Sequence, residues 1–209
     1  MIQVYGSPRS TCTRKVLMTL AETSTPFEMN VVNLAGGDHK REPHILRQPF
    51  GRIPAIDDEG FRLFESRAIV RYLAEKAGSD LIPRDSKARA KVEQWISVET
   101  SEFSVHAMKF VYEHVFKRPQ EAAVLENAGK ALGYTTAVLD KQLAGSPFIA
   151  GPDFTIADIS YMPYLEYAMT TPAKEIFAKH ENVMRWWSTI RARPAWQKTI
   201  GAYSKDHLT

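Results

Sequence analysis

The chain has 209 residues, 44% hydrophobic and 24% charged, ordinary proportions for a globular protein with room for one large domain or two modest ones. Its 27 basic and 24 acidic residues leave a net charge of +3 and are interspersed, so no basic run marks a partner surface for nucleic acid or membrane. One cysteine, Cys12, excludes an internal disulfide and a Cys-x-x-Cys redox pair; with no charged leader and no long apolar stretch, the expected setting is cytoplasmic, with no membrane span.

Taken in chain order, the first third alternates strand and helix signals. Ile2-Gln3-Val4-Tyr5 reads as a short strand ended by Gly6-Ser7-Pro8. A helix is predicted over 11–23, with Val16, Leu17 and Leu20 on its apolar face. Residues 27–32 read as a second strand, parallel to the first by the right-handed crossover rule. A polar loop at 34–39 and a short irregular helix at 42–47 come next. Ala55-Ile56-Asp57 and Arg62-Leu63-Phe64 flank Asp58-Glu59-Gly60, a hairpin signature. Residues 66–76 close the unit as a helix with Ile69, Val70, Tyr72 and Leu73 apolar. The order βαβαββα is a thioredoxin-like plan over 1–77. After a linker at 78–86, residues 87–209 read as an all-helical domain, with segments near 87–116, 119–144, 155–170, 182–192 and 195–203. The fold class is therefore α/β followed by all-α.

Three places carry local chemistry. Ser10 stands immediately before the first helix, where serine is a favoured N-cap. Glu65-Ser66 opens the third helix and offers a carboxylate, a hydroxyl and free backbone N–H groups, which suit a small zwitterionic peptide. In the helical half, Thr155-Ile156-Ala157-Asp158 has capping-box spacing. Trp186, Trp187 and Trp196, with Arg193-Pro194, suggest a packed helical domain around it.

Four stretches, in order, carry a family likeness: Ser10-Thr11-x-Thr13-Arg14; Gly37-Asp38-His39-Lys40-x-Glu42-Pro43; Pro49-Phe50-Gly51-Arg52-Ile53-Pro54-Ala55; and Phe64-Glu65-Ser66-Arg67-Ala68-Ile69. The chain resembles the soluble glutathione transferases over essentially its whole length, and within them the phi class. That resemblance implies a cytoplasmic homodimer that conjugates glutathione, as co-substrate and without a metal, to hydrophobic electrophilic small molecules, with a possible glutathione-dependent peroxidase activity. It makes Ser10 the hydroxyl that stabilises the glutathione thiolate. A free thiol has a pKa of about 8.5, so only a few per cent is thiolate at pH 7. Lowering that value by two units takes about 2.7 kcal/mol. A hydrogen bond to a charged group supplies roughly 1.5–3 kcal/mol and a helix N-terminus roughly 0.3–1 more, so one hydroxyl and one helix end suffice.

The resemblance further implies a cis bond between Ile53 and Pro54, although trans is the default for the sequence alone. The backbone of Ile53 would then pair with the cysteinyl backbone of glutathione. Ser66 would take the γ-glutamyl carboxylate, Glu65 its ammonium, and His39 and Lys40 the glycyl carboxylate. Phe103, His106, Phe110 and Tyr167 are candidates for the electrophile pocket, Met108, Tyr112 and Tyr164 lie in the same segments, and Phe50 is the candidate plug into a partner subunit. Arg52 departs from the lysine or glutamine common at that corner. Arg9-Ser10-Thr11-Cys12 also resembles the Ser-Ser-Cys run of the zeta-class isomerases, which keeps open a glutathione-dependent cis–trans isomerase. Two rival functions share the same residues: a non-catalytic carrier of apolar ligands, and a thiol–disulfide enzyme using Cys12. A buried, inert Cys12 is the expectation against the second.

Overall fold

A computed structural model describes residues 1–201 and divides into two compact units, residues 1–79 with the C-terminal segment from Arg193, and residues 80–192. In the first unit, β1 (Ile2–Gly6), α1 (Thr11–Glu22) and β2 (Phe27–Val31) form a βαβ crossover whose strands pair in parallel, Ile2 against Phe27 through Gly6 against Val31. β3 (Ala55–Asp58) runs antiparallel to β1 and β4 (Phe61–Phe64) antiparallel to β3, giving the sheet order β2-β1-β3-β4. β1 is central, and its alternate residues Ile2, Val4 and Gly6 are buried. Glu59 and Gly60, with φ of 55° and 94°, make the two-residue hairpin loop, a left-handed pair in which glycine is the natural second residue. α2 (Ser66–Lys76) packs on α1 and on the β3–β4 hairpin.

Two sequence expectations change here. Residues 42–47 are not a helix: a 3-10 turn (Asp38–Lys40) leads into successive turns through Gly51. Pro43 disfavours the α conformation for Glu42, and Pro49 closes the segment at its other end. The last helix, α9 (Pro194–Gly201), belongs by packing to the first unit, so the expected helical domain over 87–209 is cut short at its end. α9 rests on α1 and buries Trp196, and Arg193 forks onto Glu22 with Nε and Nη2 at 2.7 and 2.8 Å from its carboxylate oxygens. Residues 202 and 203 of the predicted 195–203 segment lie outside the described residues.

Leu81 and Ile82, near the start of the second unit, are both buried, so the predicted linker is an anchored strap. The single helix expected over 87–116 is α3 (Ser86–Val98), a π-helical turn (Glu99–Phe103) and α4 (Ser104–His114). α5 (Ala122–Ala144), α6 (Ile156–Ala168), α7 (Lys174–Phe177) and α8 (Glu181–Arg191) follow; the short α7 has no counterpart in the sequence reading. α6 is buried at every residue from Ile156 to Leu165, including Pro163, and packs against α3, α4 and α8.

The capping box of α6 forms as expected. Thr155 Oγ1 accepts from the Ala157 N–H at 3.2 Å, and the Asp158 carboxylate takes the Thr155 N–H at 2.9 Å. Asp158 also accepts from the Ile149 N–H and from Trp186 Nε1, at 3.0 and 2.9 Å, tying the loop before α6 and the core of α8 to one buried carboxylate. Burial pushes the Asp158 carboxyl above its ordinary value, against those hydrogen bonds. Asp140 on α5 accepts the N–H groups of Asn182 and Val183, so one helix caps the start of another. Among the described residues no helix is long and apolar enough to cross a membrane.

Candidate active site

Strand pairing gathers the predicted residues of the first unit at one end of its sheet. Tyr5 pairs with Ala55 and Ala55 with Phe64. The end of β1, which leads to Ser10, therefore lies beside the start of β3, just after Ile53-Pro54, and the end of β4, just before Glu65-Ser66.

Ser10 is the N-cap of α1: its φ and ψ are −75° and 128°, and its Oγ accepts from the Thr13 N–H at 3.3 Å. Capping uses a lone pair of the hydroxyl and leaves its hydrogen without an acceptor among the described residues. The structural and catalytic readings of Ser10 are thus compatible within one side chain. No acid stands in the first turn of α1, so the positive end of that helix is unneutralised. Cys12, in the same turn, is half-buried rather than fully buried as expected, and it is engaged within the fold.

The Ile53–Pro54 peptide is cis, as is Glu42–Pro43. Pro54 is buried and Ile53 half-buried. Neither the N–H nor the C=O of Ile53 has a partner among the described residues, and pairing of β3 with β1 starts only at Ala55. Gly51, with φ of 60°, brings the corner against the 3-10 turn: a Cβ there would lie 3.1 Å from the His39 carbonyl oxygen and 3.4 Å from Lys40 Cγ, so the chain passes this close only as glycine. His39 Nδ1 is buried without a partner among the described residues, and Lys40 is exposed.

Glu65 takes φ 71° and ψ 108°, a conformation that side chains avoid, and gives α2 no side-chain cap. Ser66, buried, is the first residue of α2, and no acid follows in the first turn. The opening N–H groups of α2 thus lack the side-chain acceptor that Ser10 supplies to α1.

The electrophile candidates fare differently. Phe103 is 1% exposed, its ring 4.9 Å from that of Tyr161 and 6.1 Å from that of Phe177; it is a core residue of the helical unit and leaves the pocket set. Phe110 is half-buried and faces α5, where a Cβ on Gly129 would meet its Cζ at 3.6 Å. His106 on α4 is half-buried too. Tyr167 lies edge-on to Phe116 at 5.5 Å, and Phe116 stands 6.3 Å from Tyr112, a ring cluster in which the sequence reading omitted Phe116. The spacing of 112 and 116, one helical turn, was the available signal. A 390 Å³ pocket at the other end of α1, lined by Leu17, Leu20, Phe27 and Lys198 among others, includes none of the predicted site residues.

The architecture defines the class of protein: a thioredoxin-fold unit followed by an all-helical one. Comparison with known proteins narrows it. Residues 1–75 match the family model for the glutathione S-transferase N-terminal domain, and residues 103–194 that for the C-terminal domain. Glutathione S-transferase F11 of Arabidopsis thaliana is 38% identical over 208 residues, covering 96% of this chain and 97% of its own. The crystal structure of glutathione transferase F2 from Populus trichocarpa superposes with a TM-score of 0.94 at 35% identity, covering 99% of this chain and all of its own. A maize glutathione S-transferase I in complex with an atrazine glutathione conjugate superposes at 0.91 with 25% identity, covering 98% and 99%. The chain belongs to the glutathione S-transferase family, and its curated relatives of the phi type make it an enzyme of that kind.

Proposed function

We propose that this enzyme conjugates the glutathione thiolate to hydrophobic electrophiles, with Ser10 holding the sulfur as thiolate. The observation that carries the reading is the Ser10 hydroxyl, which caps α1 through its oxygen and keeps its hydrogen for an outside acceptor. The thiol proton goes to solvent, since no base is needed once the anion is stabilised. The thiolate then attacks the electrophilic atom, the C–S bond forms, and the leaving group departs with its electron pair. The same thiolate would attack the O–O bond of a hydroperoxide, expelling an alkoxide that leaves as the alcohol after protonation. A second glutathione would convert the resulting sulfenic acid to the disulfide with release of water, giving the peroxidase side activity.

Binding follows from the same end of the sheet. The unpaired backbone of Ile53, beside Pro54, would pair with the cysteinyl residue of glutathione as an added strand. The α2 start, with Ser66 and Glu65, takes the γ-glutamyl end, and His39 and Lys40 take the glycyl carboxylate; the buried, partnerless His39 Nδ1 supports that last role. His106, Phe110 and Tyr167, with Tyr112 and Phe116, are the candidate apolar contacts of the second substrate. The conjugate and transferase names of the relatives support this reading, in which the enzyme acts as a cytoplasmic homodimer.

The test is a pH titration of the bound glutathione thiol, followed by thiolate absorbance in wild type and in Ser10→Ala. Wild type should show a thiol pKa about two units below the free value, and the variant should return most of that shift, a difference of about 2.7 kcal/mol. Binding without any shift in wild type would leave a non-catalytic carrier in front. Loss of activity in Cys12→Ala with Ser10→Ala still active would move the chemistry to the cysteine.

A further inference from the structure

We infer that His44 and Gln48, which lie outside the residues placed above in the glutathione site, are positioning residues that aim the backbone of Ile53 at glutathione; this rests on the glutathione reading above. His44 lies in the turns that replace the helix expected at 42–47 and Gln48 directly after them, and both are buried, at 4% and 2% exposure. His44 Nε2 is 2.7 Å from the Arg52 carbonyl oxygen, and Gln48 Oε1 accepts from the Arg52 N–H at 3.2 Å. Both peptide groups flanking residue 52 are therefore held from the same segment.

The geometry of a peptide converts that grip into a direction. The Arg52–Ile53 peptide is trans and planar, so its C=O and N–H point opposite ways. Drawing the Arg52 oxygen onto His44 turns the Ile53 N–H away from the buried turn. That N–H is the donor left without a partner among the described residues. The acceptor also fixes the tautomer: a carbonyl only accepts, so Nε2 carries the hydrogen. Nδ1 is then left buried with no partner among the described residues, a cost carried at this position.

His44 also organises the segment it acts from. Its own carbonyl accepts from the N–H groups of Arg47 and Gln48, at 2.8 and 3.0 Å. The Arg47 guanidinium lies 4.0 Å over the ring of Tyr5, which pins the same turns to β1, the strand that leads to Ser10. The positioning device is thus braced on the central strand, while residue 52 itself has an exposed side chain free to differ from the family's lysine or glutamine.

The experiment compares His44→Phe, which keeps a ring and removes the donor, with His44→Gln, whose amide nitrogen reaches the place of Nε2. Glutathione affinity by calorimetry, steady-state constants for both substrates, and the bound-thiol pKa are read together. His44→Phe should weaken glutathione binding about three- to ten-fold, the range of one hydrogen bond, with the KM of the electrophile and the thiol pKa unmoved. His44→Gln should restore affinity to within about two-fold of wild type. Gln48→Leu and Gln48→Glu form a second pair, lost and kept acceptor, that decides the matter where the His44→Phe chain does not fold. Unchanged glutathione affinity in His44→Phe or Gln48→Leu, or a fall in melting temperature alone, overturns the inference. A wild-type protein that binds no glutathione instead overturns the reading on which it rests.

Discussion

At the scale of the residue, the candidate site is a set of backbone groups left open by unusual local choices. Glu65 is the clearest. A non-glycine residue with φ near 71° and ψ near 108° carries strain of about 1–3 kcal/mol. Glu65→Gly removes that strain at a chain-entropy cost of about 0.4–1 kcal/mol. The variant should gain roughly 1 kcal/mol, a rise of about 2–4 °C in melting temperature by calorimetry. It should also lose about ten-fold or more in glutathione affinity, because a charge-assisted contact disappears. A lower melting temperature with full affinity would show that the conformation serves packing instead. The helix starts at Ser10 and at Glu65-Ser66 were legible in the sequence because helix starts are signalled within a few residues. His44 and Gln48 were not, because their partner is a backbone carbonyl and N–H brought to them by turns that no periodicity announces.

At the scale of the element, the hairpin and α2 are joined by one acid. Asp58, buried at the end of β3, accepts from Tyr72 at 2.5 Å and pairs with Lys76, both on α2. The bond to Lys76, then that to Tyr72, holds its carboxyl below the ordinary aspartate value. A carboxylate with a depressed folded pKa adds stability that is complete above the unfolded value and lost as pH falls through the folded one. Unfolding free energy measured by urea should therefore drop in acid below about pH 4, and Asp58→Asn should flatten that part of the curve. An acid limb identical in variant and wild type would count against this coupling. Strands, hairpin and α2 were readable from alternation and the Asp58-Glu59-Gly60 turn. The exception was the helix expected at 42–47, where two prolines and side-chain-to-backbone bonds outweighed composition. The Asp158 box was legible too, but its bond to Trp186, 28 residues away, was not.

At the scale of the whole molecule, the two units are readable from the chain, but its last helix is misassigned. Arg193 and Glu22 stand 171 residues apart, and no local pattern signals such a pairing. The exposed apolar residues of the first unit bear on assembly. Phe50 is 69% exposed beside the proline corner, its ring edge-on to Phe64 at 6.1 Å, and Leu46 is 62% exposed. The homodimer proposed above puts Phe50 in the partner. Phe50→Ala should weaken dimerisation by about 3–5 kcal/mol if its ring fills a pocket there, enough to give monomers at micromolar protein in sedimentation velocity. An unshifted dimer in the variant would place the interface elsewhere.

The pairing of α9 with α1 also has a consequence for synthesis. The first unit is discontinuous: residues 1–79 are made before the helical unit, but its closing helix, which buries Trp196, is translated after the entire helical unit. Domains tend to fold as they emerge, N-terminal first. Here the order is reversed in effect, because the unit begun first is finished last. A nascent chain stalled short of residue 193 should therefore present a folded helical unit and an incomplete first unit, so on the proposed reading glutathione binding waits until residues 193–201 have been made.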